Sequence, residues 1–272
     1  MNINLRKLRK RCLAPIRDFE SEGEVRAGSR GGHIFKDNGG SVLAVAHLDS
    51  VRTSKHFLAS RIEDKLTVIN QQLDDRLGAY IILDHLPLLG LNYDVLLTEG
   101  EECGFSTAAD FVTDKEYNWT FSFDRAGTDV VLYGYDDEET RQLLSEYKIE
   151  VGLGSFSDIV ELDHLGVKGF NWGCGYNDNH GKFCNAVIPE TMGMVDIFTE
   201  FFQNMSEIKL PHTPRHDGHW SYQDGYSDLW KSSGCCEMCG SAAVLFQYGG
   251  GRVCKECKEE IDGEEKFYRR TI

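Results

Sequence analysis

The sequence predicts a three-layer α/β/α domain with a mostly parallel mixed central sheet, followed by a small cysteine-bound module at its C-terminal end. Three observations carry this. Short apolar runs such as SVLAVA, DVLL and WTFSF alternate with stretches of helical period, the pattern of strands buried on both faces and covered by helices. Polar clusters follow the ends of those runs, where open α/β sheets bind their ligands. Of the nine cysteines, Cys235, Cys236, Cys239, Cys254 and Cys257 crowd into one short stretch.

Taken in order, the chain begins with Leu5, Leu8, Cys12 and Leu13 at helical spacing inside a basic segment, predicting a short docked helix whose charges face water. HIFKDNGGSVLAVAH predicts a hairpin turning at Asn38-Gly39-Gly40, with its second strand, 41–46, buried. A helix follows over 77–89 and a buried strand over 93–97. Beyond these the pattern predicts a helix over 107–112, strands over 119–123 and 130–133, helices over 138–147 and 157–165, and a strand over 167–171. A long helix closes the domain from Pro189 to Met205. Residues 1–205 thus read as one domain, large enough at 41% hydrophobic composition to hold a sizeable core. Residues 206–234, with three histidines and no sustained period, read as a linker.

In 235–272, Cys236-x-x-Cys239 and Cys254-x-x-Cys257 flank a Gly-rich hairpin, the spacing of a four-cysteine structural zinc site. So small a module needs a metal to stay folded. It offers a surface for a protein partner, while Glu259, Glu260, Asp262, Glu264 and Glu265 argue against nucleic acid. The whole chain, with 44 acidic against 29 basic residues and a net charge of -15, argues against nonspecific nucleic-acid or anionic-membrane binding as well. No apolar run reaches membrane-span length, and reduced thiols in a metal-binding spacing fit a cytoplasmic protein.

The chemistry lies in an ordered set of clusters. His47 and Asp49 follow the run SVLAVA, Asp74–Asp75 precede a helix, Glu101–Glu102 follow DVLL, Asp124 follows WTFSF, and His180 sits in YNDNHGKF. Singly each has a plain reading: Asp74–Asp75 suits a helix N-cap, Asp124–Arg125 a surface ion pair, and His180 a solvated loop. Together they meet the needs of two cations about 3.5–4 Å apart, which share one carboxylate and each take an imidazole and a further carboxylate. One carboxylate then remains for proton transfer. Adjacent strand residues point to opposite faces, so Glu101 and Glu102 divide such roles only at a bend, which Gly100 and Gly104 permit.

These ordered motifs resemble those of the co-catalytic zinc exopeptidases, a superfamily of aminopeptidases, peptidase T and acetylornithine deacetylase-like deacylases. The resemblance covers residues 31–205. It implies that His47 binds one metal and Asp49 steadies it, and that Asp74 bridges both metals. The peptide bond after the bridging aspartate is typically cis in that superfamily, and Asp75 is held in place rather than ligating. It also implies that Glu101 is the general base, that Glu102 and His180 hold the second metal, and that Asp124 joins His47 on the first. Asp158 is a supporting candidate. The intervals between motifs leave no room for a lid domain or an inserted domain. The expected activity is hydrolysis of an amide bond in a peptide or acylated amino acid, aminopeptidase-like, with two Zn2+ (or Co2+ or Mn2+) in the site and one structural Zn2+ at the C-terminal module. The competing reading is a noncatalytic scaffold that keeps the fold and acts through that module.

Overall fold

The computed structural model describes residues 2–214 and the backbone of two later strands. Helix α1 (Leu5–Leu13) opens it. Asn4 caps that helix by accepting from Lys7 N at 3.1 Å. Leu8 and Cys12, one turn apart, are buried, while Arg6, Lys7, Arg9 and Lys10 face water. The buried face packs on α2 (Leu73–Tyr80), as the apolar spacing implied.

The strands come in chain order as β1 (Glu24–Ala27), β2 (Gly32–Lys36), β3 (Leu43–His47), β4 (Leu58–Ile62), β5 (Lys65–Ile69), β6 (Asp94–Thr98), β7 (Thr120–Arg125), β8 (Val130–Val131), β9 (Val151–Gly152), β10 (Gly169–Gly173), β11 (Tyr176–Asn177) and β12 (Asn185–Val187). Eight of them form one sheet in the order β1-β2-β6-β3-β7-β10-β8-β9, and β11-β12-β5-β4 form a second, antiparallel sheet. The centre of the large sheet is parallel: β6 with β3, β3 with β7, and β7 with β10. Its strands alternate between two cores. Val45 and Leu96 pack on one face with Phe111, Ile159 and Leu162, from the 3-10 turn region at Thr107–Asp110 and from α4 (Asp158–Glu161). Ala44, Ala46, Val95 and Leu97 pack on the other face with α1, α2 and α5 (Ile188–Met205). This is the three-layer architecture that the buried runs implied.

The second core is aromatic. Phe198, Phe201 and Phe202, spaced three and four apart on α5, meet Trp119, Phe121 and Phe123, with Phe121 and Phe198 centroids 4.5 Å apart. Trp119 Nε1 donates to Met205 O at 2.9 Å, which seats the end of α5.

One expectation is overturned. β2 and β3 are not a hairpin, because β6 lies between them and pairs antiparallel with β2 and parallel with β3. The physical reason is Asp94, the first residue of β6. Its Oδ1 accepts from Asn38 N and Gly40 N at 2.9 and 3.0 Å, so the glycine-rich turn is spent bridging over the inserted strand. Residues 206–212, read as the start of a linker, lie along the domain. Leu210 N donates to Asn118 O at 2.8 Å and His212 N to Gly166 O at 2.9 Å.

Strands β13 (Leu245–Tyr248) and β14 (Gly251–Cys254) pair antiparallel where the C-terminal hairpin was expected. Cys236, Cys239 and Cys257 lie outside the described residues, as does 215–234. Among the described residues no helix is long and apolar enough to cross a membrane.

Candidate metal centre

The C-terminal ends of three parallel strands deliver the acidic and imidazole groups to one edge of the sheet. His47 is the last residue of β3 and Asp124 lies near the end of β7. After β6 the chain turns at Gly100, whose φ of 93° is glycine territory and where a Cβ would run into the Phe105 ring. The short 3-10 turn Glu101–Cys103 follows, so the adjacent glutamates leave strand geometry as the flanking glycines predicted. Asp74 and Asp75 stand at the mouth of α2 with non-helical backbone angles, and the peptide bond between them is cis. His180 comes from the loop joining β11 to β12.

Asp74 is the hub. Its Oδ1 lies 3.4 Å from His47 Nε2, and its Oδ2 lies 3.1 Å from His180 Nε2. His47 Nε2 is also 3.4 Å from Asp124 Oδ1, and His180 Nε2 is 3.0 Å from Glu102 Oε2. Two overlapping groups result, His47–Asp74–Asp124 and Asp74–Glu102–His180, each with donor atoms within 4.8 Å of one another. Glu101 belongs to neither group; its Oε2 is 3.8 Å from His47 Nε2.

Supporting contacts hold these groups in place. Asp49 Oδ1 accepts from Gly100 N at 2.9 Å and its Oδ2 from Glu102 N at 3.2 Å, while its backbone oxygen meets His47 Nδ1 at 3.1 Å. One side chain thus ties the end of β3 to the glutamate turn. Asp75 belongs to neither group and accepts from Gly78 N at 3.0 Å, acting as the helix cap that its position first suggested. A Cβ at Gly78 would collide with that carboxylate and with Phe123 O. Asp158 is buried behind the site, accepting from Thr98 Oγ1 at 2.9 Å and from Ser106 Oγ. Arg125 pairs with Asp129 rather than with Asp124.

Sequence reasoning missed three partners. Tyr176 OH donates to Asp124 Oδ1 at 3.1 Å, and Ser50 Oγ donates to Asp74 O at 3.1 Å. Asn171 in the middle of β10 accepts from Asp124 N at 3.0 Å. Only Asn171 carried a signal, as a polar residue inside the buried strand GFNWG. His212, from the segment read as a linker, lies outside both groups, its Nε2 bonding Asp163 Oδ1 at 2.5 Å.

Electrostatically the site is a crowd of carboxyls around two imidazoles. Burial pushes Glu101 well above the usual carboxylate range, helped by Asp124 and Glu102 and opposed by His47. Burial likewise lifts Asp124 to about 7 against the pull of His47, and raises Glu102 and Asp158. Asp74 goes the other way: burial lifts it, but the adjacent imidazoles of His180 and His47 hold it below its ordinary value. Burial alone depresses His47, yet Asp124, Asp49 and Asp74 outweigh it and hold that imidazole well above its usual range. Asp74 and Glu102 raise His180 to about 10.

So many buried acids ionise together only where positive charge is supplied. The donor set fits divalent cations on two further grounds. His47 Nε2 is fully buried and has no hydrogen-bond partner, an imidazole nitrogen aimed into a cage of carboxylate oxygens. Mixed imidazole and carboxylate donors suit zinc, cobalt or manganese.

No family model matches the chain, and no curated protein matches it. Solved structures do. A tripeptidase from Staphylococcus aureus superposes with a TM-score of 0.54 at 10% identity, covering 76% of this chain and 100% of that one. Aminopeptidase PepT from Bacillus cereus gives 0.53 at 10% identity, over 75% and 100% of the two chains. The TET1 peptidase of Pyrococcus horikoshii, which can assemble into a tetrahedron or a large octahedral shell, gives 0.51 at 11% identity, over 72% and 98%. The chain shares its fold with these peptidases.

Proposed function

We propose that this protein is a metal-dependent hydrolase of the amide bond in a peptide or acylated amino acid, acting as an aminopeptidase. The observation that carries the reading is the placement of Asp74, whose two carboxylate oxygens face two different histidines, His47 and His180, at 3.4 and 3.1 Å. His47, Asp74 and Asp124 would hold one cation, and Asp74, Glu102 and His180 the other. Bound there, two cations supply Lewis acidity to a scissile carbonyl and to an attacking water. Glu101 Oε2 takes the proton of that water and passes it to the departing amine, a task suited to a carboxyl lifted by burial. Asp49 keeps Glu101 in register through the two backbone amides that it accepts on either side. Asp75, Asp158 and Tyr176 neither give nor take protons; they orient the helix mouth, the glutamate turn and Asp124. The fold shared with an aminopeptidase and a tripeptidase supports a peptide substrate. The same reading includes a structural zinc on Cys236, Cys239, Cys254 and Cys257, a protein partner for that module, and a cytoplasmic location.

Glu101→Gln tests the proposal. The variant should bind the same number of ions as the wild type and lose turnover of aminoacyl and dipeptide substrates by about 10²–10⁴-fold. Full activity in a clean preparation would remove Glu101 from the mechanism. A wild-type chain that binds a single zinc, lost on mutating Cys236, would instead favour the scaffold reading.

A further inference from the structure

We infer that Arg76, two residues beyond Asp74, is a built-in positive charge of the metal centre that opposes bound cations and so limits how tightly they are held. This rests on the two-cation reading above and concerns a residue that neither ligates nor transfers a proton.

A charge withdrawn from water is ordinarily paired, because leaving it unpaired is costly. Arg76 departs from that rule. Among the described residues it is the only lysine or arginine that is buried, at 3% exposure. It makes no ion pair among them, and its Nε and Nη1 have no hydrogen-bond partner. The guanidinium instead lies over the ring of Phe19, with Cζ 4.7 Å from the centroid, and Arg11 approaches the same ring at 5.3 Å. The two arginines differ in their partners. Arg11 is neutralised by Glu22 and Asp84 at 2.6 and 2.7 Å, whereas Arg76 has only the ring in contact. A ring face offsets part of the cost of a buried cation. The remainder comes from the acid cluster. Arg76 follows Asp74 and Asp75 directly, so its Cα stands within about 7.6 Å of the Asp74 Cα. Burial disfavours its charge, while Asp49, Asp75 and Glu99 favour it.

Two of those three carboxyls, Asp49 and Asp75, frame the groups that would take the cations. An arginine keeps its charge at any working pH, so it does not step aside when cations enter. Two positive species then draw on one set of carboxylates, and by linkage each weakens the hold on the other. The cluster is thereby partly neutralised before cations arrive, and bound cations stay exchangeable.

The test measures Mn2+ binding to the full chain from the electron paramagnetic resonance signal of the free ion, because Mn2+ prefers carboxylate donors to the thiolates of the C-terminal module. Arg76→Met and Arg76→Gln both remove the charge; the first keeps the apolar stem and the second keeps N–H donors. Each should bind Mn2+ about 3- to 20-fold tighter than wild type, the size expected of one unit charge roughly 10 Å from a divalent ion in partly wet protein. Arg76→Lys keeps the charge, and Arg11→Met strips the other arginine from Phe19; both should stay within about twofold of wild type. A neutral variant that folds only with Mn2+ shows the same coupling, as a melting temperature that Mn2+ raises by more than it raises the wild type's. A packing role alone gives the opposite pattern, with binding weakened in the Met, Gln and Lys variants alike. Unchanged or weaker binding in the neutral variants overturns the inference and leaves the two-cation reading intact. A wild-type chain that takes up no Mn2+ removes both. Tighter binding in the neutral variants, with no cleavage of aminoacyl or dipeptide substrates by the wild type, keeps the role of Arg76 and removes the hydrolase reading.

Discussion

Filling the candidate metal centre should release protons, and the number follows from the geometry. With Asp74 and Glu102 against it, His180 has its pKa raised to about 10, so at pH 7 its Nε2 is protonated and must lose that proton to become a ligand. His47 is held well above its usual range by Asp124 and its neighbours and gives up a second. Asp124, lifted to about 7 by burial, contributes roughly half a proton. Binding two cations at pH 7 should therefore release about two to three protons, and His180→Ala should lower that by about one. The gap between pH 7 and His180's value is an upper limit of about 4 kcal/mol of binding energy spent on deprotonation. His180 is half exposed, at 51%, and solvent screening cuts this to about 2 kcal/mol. Affinity at the Asp74–Glu102–His180 group should rise by up to about tenfold per pH unit between pH 6 and 8. The linkage to stability has the opposite slope. Because His180's folded value lies above its unfolded one, its contact stabilises the cation-free protein fully below about pH 6.5 and is lost as pH rises through about 10. Calorimetric titration in buffers of differing ionisation enthalpy counts the protons, and chelator competition at several pH values gives the slope. Metal binding without proton release, with an affinity flat from pH 6 to 8, would refute the placement of His180 and His47 among the ligands.

Other perturbations probe the supporting contacts. Asp49→Asn replaces one of two carboxylate acceptors with an amide that faces a backbone N–H; we expect metal content to persist and kcat to fall about 10- to 100-fold. Gly78→Ala drives a Cβ into the Asp75 carboxylate and Phe123 O, and should leave a protein that fails to bind two cations or melts several degrees lower. Asp137 caps α3 (Glu138–Glu146) by accepting from Thr140 N at 2.9 Å, and Asp137→Ala should cost about 1 kcal/mol in a urea titration at pH 7. Burial lifts the Asp137 carboxyl, but Lys168 and Thr140 outweigh it and hold the pKa at about 2. That contribution is therefore present above about pH 4 and fades as pH falls toward 2, so the two proteins should converge in stability in acid.

The parts of this fold legible in the sequence are those where one local pattern has one physical meaning. Four consecutive apolar residues from Leu43 to Ala46 can only be a strand sealed on both sides, and a phenylalanine spacing of three and four on α5 can only face a core. Asp94 shows the opposite case. As a lone aspartate before an apolar run it carries no sign that it will gather the 38–40 turn and let β6 pass between β2 and β3. The hairpin β4–β5 was likewise silent, since β4 is exposed throughout and leaves no alternation to read.

By itself the sequence determined the inventory: which side chains are present, in which order, and at the ends of which strands, because burial imposes periodicity and ligand chemistry limits residue type. Only the tertiary structure decided which of them meet. Asp74 and His180 are more than a hundred residues apart, and nothing local states that the two oxygens of one carboxylate will divide between two histidines. That division depends on the parallel sheet bringing β3, β6 and β7 to a common edge, and on a loop of the second sheet carrying His180 over it. Distances between distant chain segments are set by packing, not by neighbours in sequence, and the candidate metal centre is a statement about distances.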